Sequence, residues 1–138
     1  MDLKGVFFCM QAKIRHFLAS GGGAIVNTAS VAGVVAESNM SPYIAAKHAV
    51  VGLTQAGDIE YARQNIRGNA IASGFVATPM TQAWLNDEEF KRGFLAHNII
   101  GRAAQPEEIA GTVLHMCSNA SSFVDAEVFI IHGGQSAH

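Results

Sequence analysis

Charge is scarce in this chain. Of its 138 residues only 14% are Asp, Glu, Lys or Arg, and the formal net charge is −2. That balance gives no electrostatic reason to expect nucleic acid or an anionic membrane as partner, and no basic stripe interleaved with aromatics occurs. Cysteine is scarce too. Cys9 and Cys117 lie far apart, too few for a disulfide framework and not spaced as metal ligands, so they read as reduced thiols in a core. The six histidines show no ligand-like spacing, and no metal is expected. No apolar run is long enough to cross a bilayer, and Lys4, Lys13 and Arg15 interrupt the first twenty residues, which do not read as a signal peptide. The resulting expectation is one soluble, cytoplasmic domain. Its apolar fraction, 49%, is ample for a core and argues against disorder.

Periodicity gives the order of elements. Leu3, Val6, Phe7, Met10, Ile14 and Phe17 recur at helical spacing over residues 2–19. "SGGG" at 20–23 ends that helix, and "AIVNT" at 24–28 reads as a short buried strand. Ser41-Pro42 reads as a helix start, a hydroxyl cap followed by proline, with the helix running to about residue 63. "NIRGNAIAS" reads as a second strand, weakened by Gly68. Residues 74–102 read as irregular, with short helices around 79–96. Pro106 opens another helix with Ile109, Val113 and Met116 on one stripe, and "AEVFIIH" at 126–132 reads as a third strand. Strands alternating with helices predict α/β architecture with about three parallel strands and right-handed crossovers.

The stretch "MSPYIAAKHAV" places Tyr43 four residues before Lys47, on one helix face. A free phenol titrates near 10, and a neighbouring ammonium stabilises its phenolate. Such a pair can act as a general acid/base on an alcohol or carbonyl oxygen; two ordinary residues on a solvated helix face would look the same. Ser30 follows directly after the first strand and Tyr43 comes 13 residues later, so a loop can return the helix start to the same rim. After the second strand "SGFVATPM" brings Gly74, backbone N–H groups and Thr78 to an equivalent position. In open parallel sheets ligands bind beyond the carboxyl ends of the strands.

"IVNTASVAG", "SPYIAAKHAVVGLT", "IRGNAIASGFVATPM", "GRAAQPEEIAGTVLHMCSNASSFV" and "IHGG" resemble, in order and spacing, the short-chain dehydrogenase/reductase family, over essentially the whole chain. The resemblance implies the C-terminal half of a Rossmann-like, doubly wound parallel sheet, with residues 1–138 forming a single partial domain. It also implies NAD(P)-dependent hydride transfer between a secondary alcohol and a ketone, with NAD or NADP as cofactor. In that scheme Tyr43 is the general acid/base, Lys47 supports it and bonds the nicotinamide ribose, and Ser30 holds the substrate oxygen. Gly74, Val76 through its backbone, and Thr78 would receive the nicotinamide end of the cofactor. Asn27 and Asn69 match structural positions, and helices 2–19 and 42–63 resemble those through which family members form homo-oligomers.

The glycine-rich phosphate loop that follows the family's first strand has no counterpart. "SGGGAIV" precedes a strand and opens no helix, so it does not read as a phosphate cradle. The alternative reading is therefore a truncated, inactive chain that acts only as an association partner of homologous chains, with "AIVNT" left as an apolar sheet edge. Some positions depart from the family pattern. Asp2 stands at an asparagine of the proton relay, Ser73 at a proline, His132 at an aspartate and Gly68 at a β-branched residue. A strand-interior glycine costs about 0.5–1 kcal/mol relative to alanine. Trp84, Phe90 and Phe94 fall in the segment that sets substrate specificity in the family; lid packing and core packing fit them equally.

Overall fold

A computed structural model describes residues 2–137, although the Asp2 side chain, and with it the relay position, lies outside the described residues. The elements are α1 (Asp2–Ser20), β1 (Gly23–Thr28), α2 (Ser41–Tyr61), β2 (Ile66–Ser73), α3 (Gln82–Leu85), α4 (Glu88–Leu95), α5 (Pro106–Cys117) and β3 (Val128–Ile131), with short 3-10 turns between several of them. The strands form one parallel sheet in the order β1-β2-β3. Gly23 pairs with Ile66 and Thr28 with Ile71. Ala70 pairs with Val128 and Ser73 with Ile131.

Alternate side chains of a strand point to opposite faces, and both faces here are covered. Ile25 and Ile66 pack with Met10 beneath α1 and α2, joined by Val6, Ile14, Phe17 and Leu53. Ile71 packs on the other side with Ile109 and Met116 of α5, joined by Val26 and Val113. The apolar stripe of α5 is therefore core, as its spacing predicts. The α1 stripe divides: Met10 is buried, whereas Leu3, Phe7 and Leu18 are exposed, together with Phe8. Cys9 and Cys117 are exposed free thiols, which corrects the expectation of core cysteines. Their helices turn other residues inward. Ser41 is not the cap of α2. Met40 occupies that position without a side-chain bond, and Ser41-Pro42 forms the first turn.

Buried amides fix the layers. Asn27 donates to Thr54 Oγ1 (2.9 Å) and to Met10 Sδ (3.1 Å), so one side chain of β1 ties α1 to α2. Asn69 donates to the Val124 carbonyl (2.9 Å) and accepts from the Glu127 N–H (3.0 Å), which pins the segment entering β3.

Gly68 has a packing reason. A Cβ there would lie 3.2 Å from Asp58 Cβ and 3.3 Å from its Oδ1. Asp58, 4% exposed, accepts a hydrogen bond from the Gly68 N–H on a stretch of β2 that lies ahead of the β3 pairing. Burial and then the Asp125 carboxyl beside it push the Asp58 carboxyl up to about 6, against the opposing pull of the Gly68 N–H and Arg67. Asp125 keeps one buried oxygen without a hydrogen-bond partner, and the next residue, Ala126, has a left-handed backbone with φ 55°. A carboxyl group whose folded pKa lies above its unfolded value favours folding when protonated. Its contribution is complete below about pH 4 and is lost as the pH rises through about 6. Asp58→Asn keeps an acceptor for Gly68 and supplies a donor to Asp125. The variant should be more stable than the parent by about 1–2 kcal/mol above pH 7, the gain shrinking towards pH 4, as read by urea unfolding at several pH values.

Candidate active site

The turns that follow β1 and β2 open at the same end of the sheet, because parallel strands share a direction. After β1 the chain extends through Ser30 and enters a 3-10 turn at Val31–Gly33. The Ser30 Oγ accepts from the Ala32 N–H at 3.2 Å, so its own proton remains available to another acceptor. Gly33 lets this turn lie directly on α2. A Cβ there would meet the Lys47 carbonyl oxygen at 2.9 Å. That contact fixes the height of the Ser30 turn against the helix turn carrying Lys47.

Tyr43 and Lys47 do share a face. Lys47 Nζ lies 5.5 Å from the centroid of the Tyr43 ring and donates to the Thr28 carbonyl at the end of β1 (3.4 Å). Tyr43 is 37% exposed, open to a ligand. The lysine thus links the tyrosine to the strand end that leads into Ser30. His48 is exposed, with Nδ1 3.0 Å from the Ile44 carbonyl one turn back.

The turn after β2 is organised by a residue that motif reading passed over. Thr81 is 7% exposed. Its hydroxyl donates to the Val76 carbonyl (2.6 Å), accepts from the Thr78 N–H (2.9 Å) and lies 3.1 Å from Thr78 Oγ1. Two hydroxyls three residues apart in "TPMT" are the sequence signal that would have found it. Val76 bridges Ala104, and Arg102 holds that second segment with two 2.7 Å bonds to Glu108. Arg102, with the Gln105 N–H, keeps the Glu108 carboxyl down at about 2. Gly74 is a packing position. A Cβ there would meet His132 Cα at 2.8 Å, and its N–H donates to the Ile131 carbonyl (2.9 Å). His132 in turn sits 2.6 Å from Ser136 Oγ and receives the Gly134 N–H at 3.3 Å.

Trp84, Phe90 and Phe94 form one aromatic group with Phe75. Phe90 stacks on Phe94 at 5.8 Å and on Trp84 at 5.8 Å, and Phe75 lies 4.7 Å from Phe94. Trp84 is 48% exposed, so the group is a partly open wall rather than a closed core. A cavity of about 610 Å³ lies between this wall and residues 37–38 of the loop joining Ser30 to Tyr43. Among the described residues no group of three or more metal-ligating side chains occurs, and no helix is long and apolar enough to cross a membrane.

The family described as enoyl-(acyl carrier protein) reductase matches over residues 1–136. Cyclohexanol dehydrogenase of Acinetobacter sp. (strain SE19) is 40% identical over 137 residues, which is 99% of this chain and 53% of that protein. The chain belongs to the short-chain dehydrogenase/reductase family. Solved members carry the same fold. Gluconate 5-dehydrogenase from Burkholderia cenocepacia J2315, in complex with NADP and tartrate, superposes with a TM-score of 0.95 at 34% identity, covering 99% of this chain and 54% of that one. 4-Hydroxyisoleucine dehydrogenase complexed with NADH gives 0.95 at 29% identity, covering 99% and 57%. The chain spans about half the length of the short-chain dehydrogenase/reductase relatives it matches.

Loss of the Thr81 hydroxyl leaves the Val76 carbonyl and the Thr78 N–H without their shared partner. Thr81→Val should cost about 1–3 kcal/mol in thermal unfolding, with the loss of amide-exchange protection centred on residues 76–81.

Proposed function

We propose that this chain carries the proton-transfer and nicotinamide half of an NAD(P)-dependent oxidoreductase acting on a secondary alcohol or ketone. The observation that carries the reading is the Tyr43–Lys47 pair, its ammonium anchored on the Thr28 carbonyl at the end of β1, two residues before Ser30.

In the oxidative direction the Tyr43 oxygen takes the proton of the substrate hydroxyl; in the reductive direction it returns that proton to the carbonyl oxygen. Lys47 stabilises the phenolate that this exchange requires. Ser30, its lone pair occupied by the Ala32 N–H, donates its hydrogen to the substrate oxygen and holds it near Tyr43. The donors and acceptors suited to the nicotinamide ribose and carboxamide are Lys47 Nζ, Tyr43, the Val76 backbone and Thr78 Oγ1. Gly74 brings that turn against His132. When bound, NAD or NADP accepts or supplies the hydride. This half of a cofactor site fits the residues present. The other half does not, because the turns after β1 and β2 carry no glycine-rich loop opening a long helix. The adenosine and pyrophosphate would have to be held by residues outside this segment.

A second reading rests on a different observation. β1 lies at the edge of the sheet, and α1 exposes Phe7 and Phe8, so the chain offers surfaces for joining a homologous chain. In that reading it forms a homo-oligomer or an assembly with a longer homologue and contributes no chemistry of its own.

NADH and NADPH titration of the purified chain by calorimetry tests the first reading. Saturable binding at micromolar levels supports it. In that case Tyr43→Phe should lower alcohol oxidation by about 10²–10⁴-fold, a far larger effect than the loss of one hydrogen bond to the cofactor, about 0.5–1.5 kcal/mol, has on its affinity. No binding up to millimolar cofactor by a folded chain, together with dimers or larger species in sedimentation, would favour the second reading.

A further inference from the structure

The cavity between α4 and the loop that joins Ser30 to Tyr43 carries both aromatic and charged side chains on its walls. Phe90 and Phe94 give one side a stacked aromatic surface. Glu37 and Glu89 bring two carboxylates to the same space, which His97 and Gln135 also line. Gln135 Nε2 donates to Glu37 Oε1 at 3.4 Å, which orients that carboxylate at the cavity wall. Among the described residues no lysine or arginine lines the cavity. Lys91 is paired with Glu88 at 3.3 Å, and Arg92 on α4 is exposed and does not line the cavity. Its volume, about 610 Å³, is within the usual range for a small-molecule site.

Aromatic faces attract cations through the ring quadrupole. Carboxylates attract cations and repel anions, and the exposed Glu37 and Glu89 do so most at low salt. An apolar body stacked on Phe90 and Phe94 leaves its substituents facing Glu37 and Glu89. We infer that this cavity selects alcohols or ketones whose apolar body carries a protonated amine, and that it rejects carboxylates and phosphates. The inference rests on the oxidoreductase reading for the reacting hydroxyl, and it adds the charge class of the rest of the substrate. Glu37 and Glu89 are then the specificity-determining residues.

The test uses three ring alcohols of one size with the intact chain: cyclohexanol, trans-4-aminocyclohexanol and cis-4-hydroxycyclohexanecarboxylate. Trp84 is the single tryptophan and stacks on Phe90 at 5.8 Å, so its fluorescence reports occupancy, with calorimetry as the second readout. At pH 8 and low salt the amine should bind about tenfold tighter than cyclohexanol, and the carboxylate about tenfold weaker. Glu37→Gln and Glu89→Gln should each narrow the difference between amine and carboxylate by about threefold, leaving cyclohexanol within about twofold, and 0.3 M salt should narrow it as well. Equal affinity for all three, tighter binding of the carboxylate, no detectable binding of the amine, or an unchanged ranking in the double variant would each overturn the inference. Binding is measured without cofactor, which separates the two readings. A chain that ranks the ligands this way but oxidises none refutes only the hydride-transfer reading. One that oxidises alcohols without ranking them by charge refutes only this one.

Discussion

Parallel pairing of β1 with β2 is the constraint on which the rest of the molecule depends. Two parallel strands need a crossover between their ends, and α2 supplies it. The crossover sets the Ser30 turn, the first turn of α2 and the Gly74–Thr81 turn at one end of the sheet. β2, flanked by a strand on each side, is buried along nearly its whole length. That burial explains the near-continuous run of small and apolar residues in it.

Close packing then converts this coarse arrangement into a site. Gly33 on the Lys47 carbonyl, Lys47 on the Thr28 carbonyl and the Lys47 ammonium beside the Tyr43 ring form a chain of contacts joining strand end, turn and helix. Thr81 performs a similar service on the other turn by bonding to both Val76 and Thr78. A missing Cβ sets the first turn against α2, whereas the second is tied by a side chain of its own.

Asp58 and Gly68 illustrate compensation between two positions ten residues apart. Read along the strand, Gly68 is a defect, with no side chain to pack and a conformational cost. In the folded chain its missing Cβ makes room for the Asp58 carboxyl, which accepts the strand's N–H on a stretch ahead of the β3 pairing. The arrangement carries an electrostatic cost, because Asp125 lies beside the same carboxyl. The raised Asp58 carboxyl makes this part of the molecule sensitive to pH.

The sequence by itself determined the α/β class and the parallel sheet, and it named Ser30, Tyr43 and Lys47 as candidates that the fold places around the end of β1 and the start of α2. Periodicity reports which residues repeat on one face, and motif spacing reports which can return to one rim. It did not determine which apolar stripe is covered. Leu3 and Phe7 carry the same periodicity as Met10, yet only Met10 meets the sheet, and Cys9 and Cys117 ended at the surface. Nor could spacing tell a cap from a first turn at Ser41, since the difference lies in backbone angles. The packing role of Gly33 and the Glu37–Gln135 contact were decided by tertiary structure alone. Their meaning depends on distances between segments remote in sequence, and a linear pattern carries no such distances.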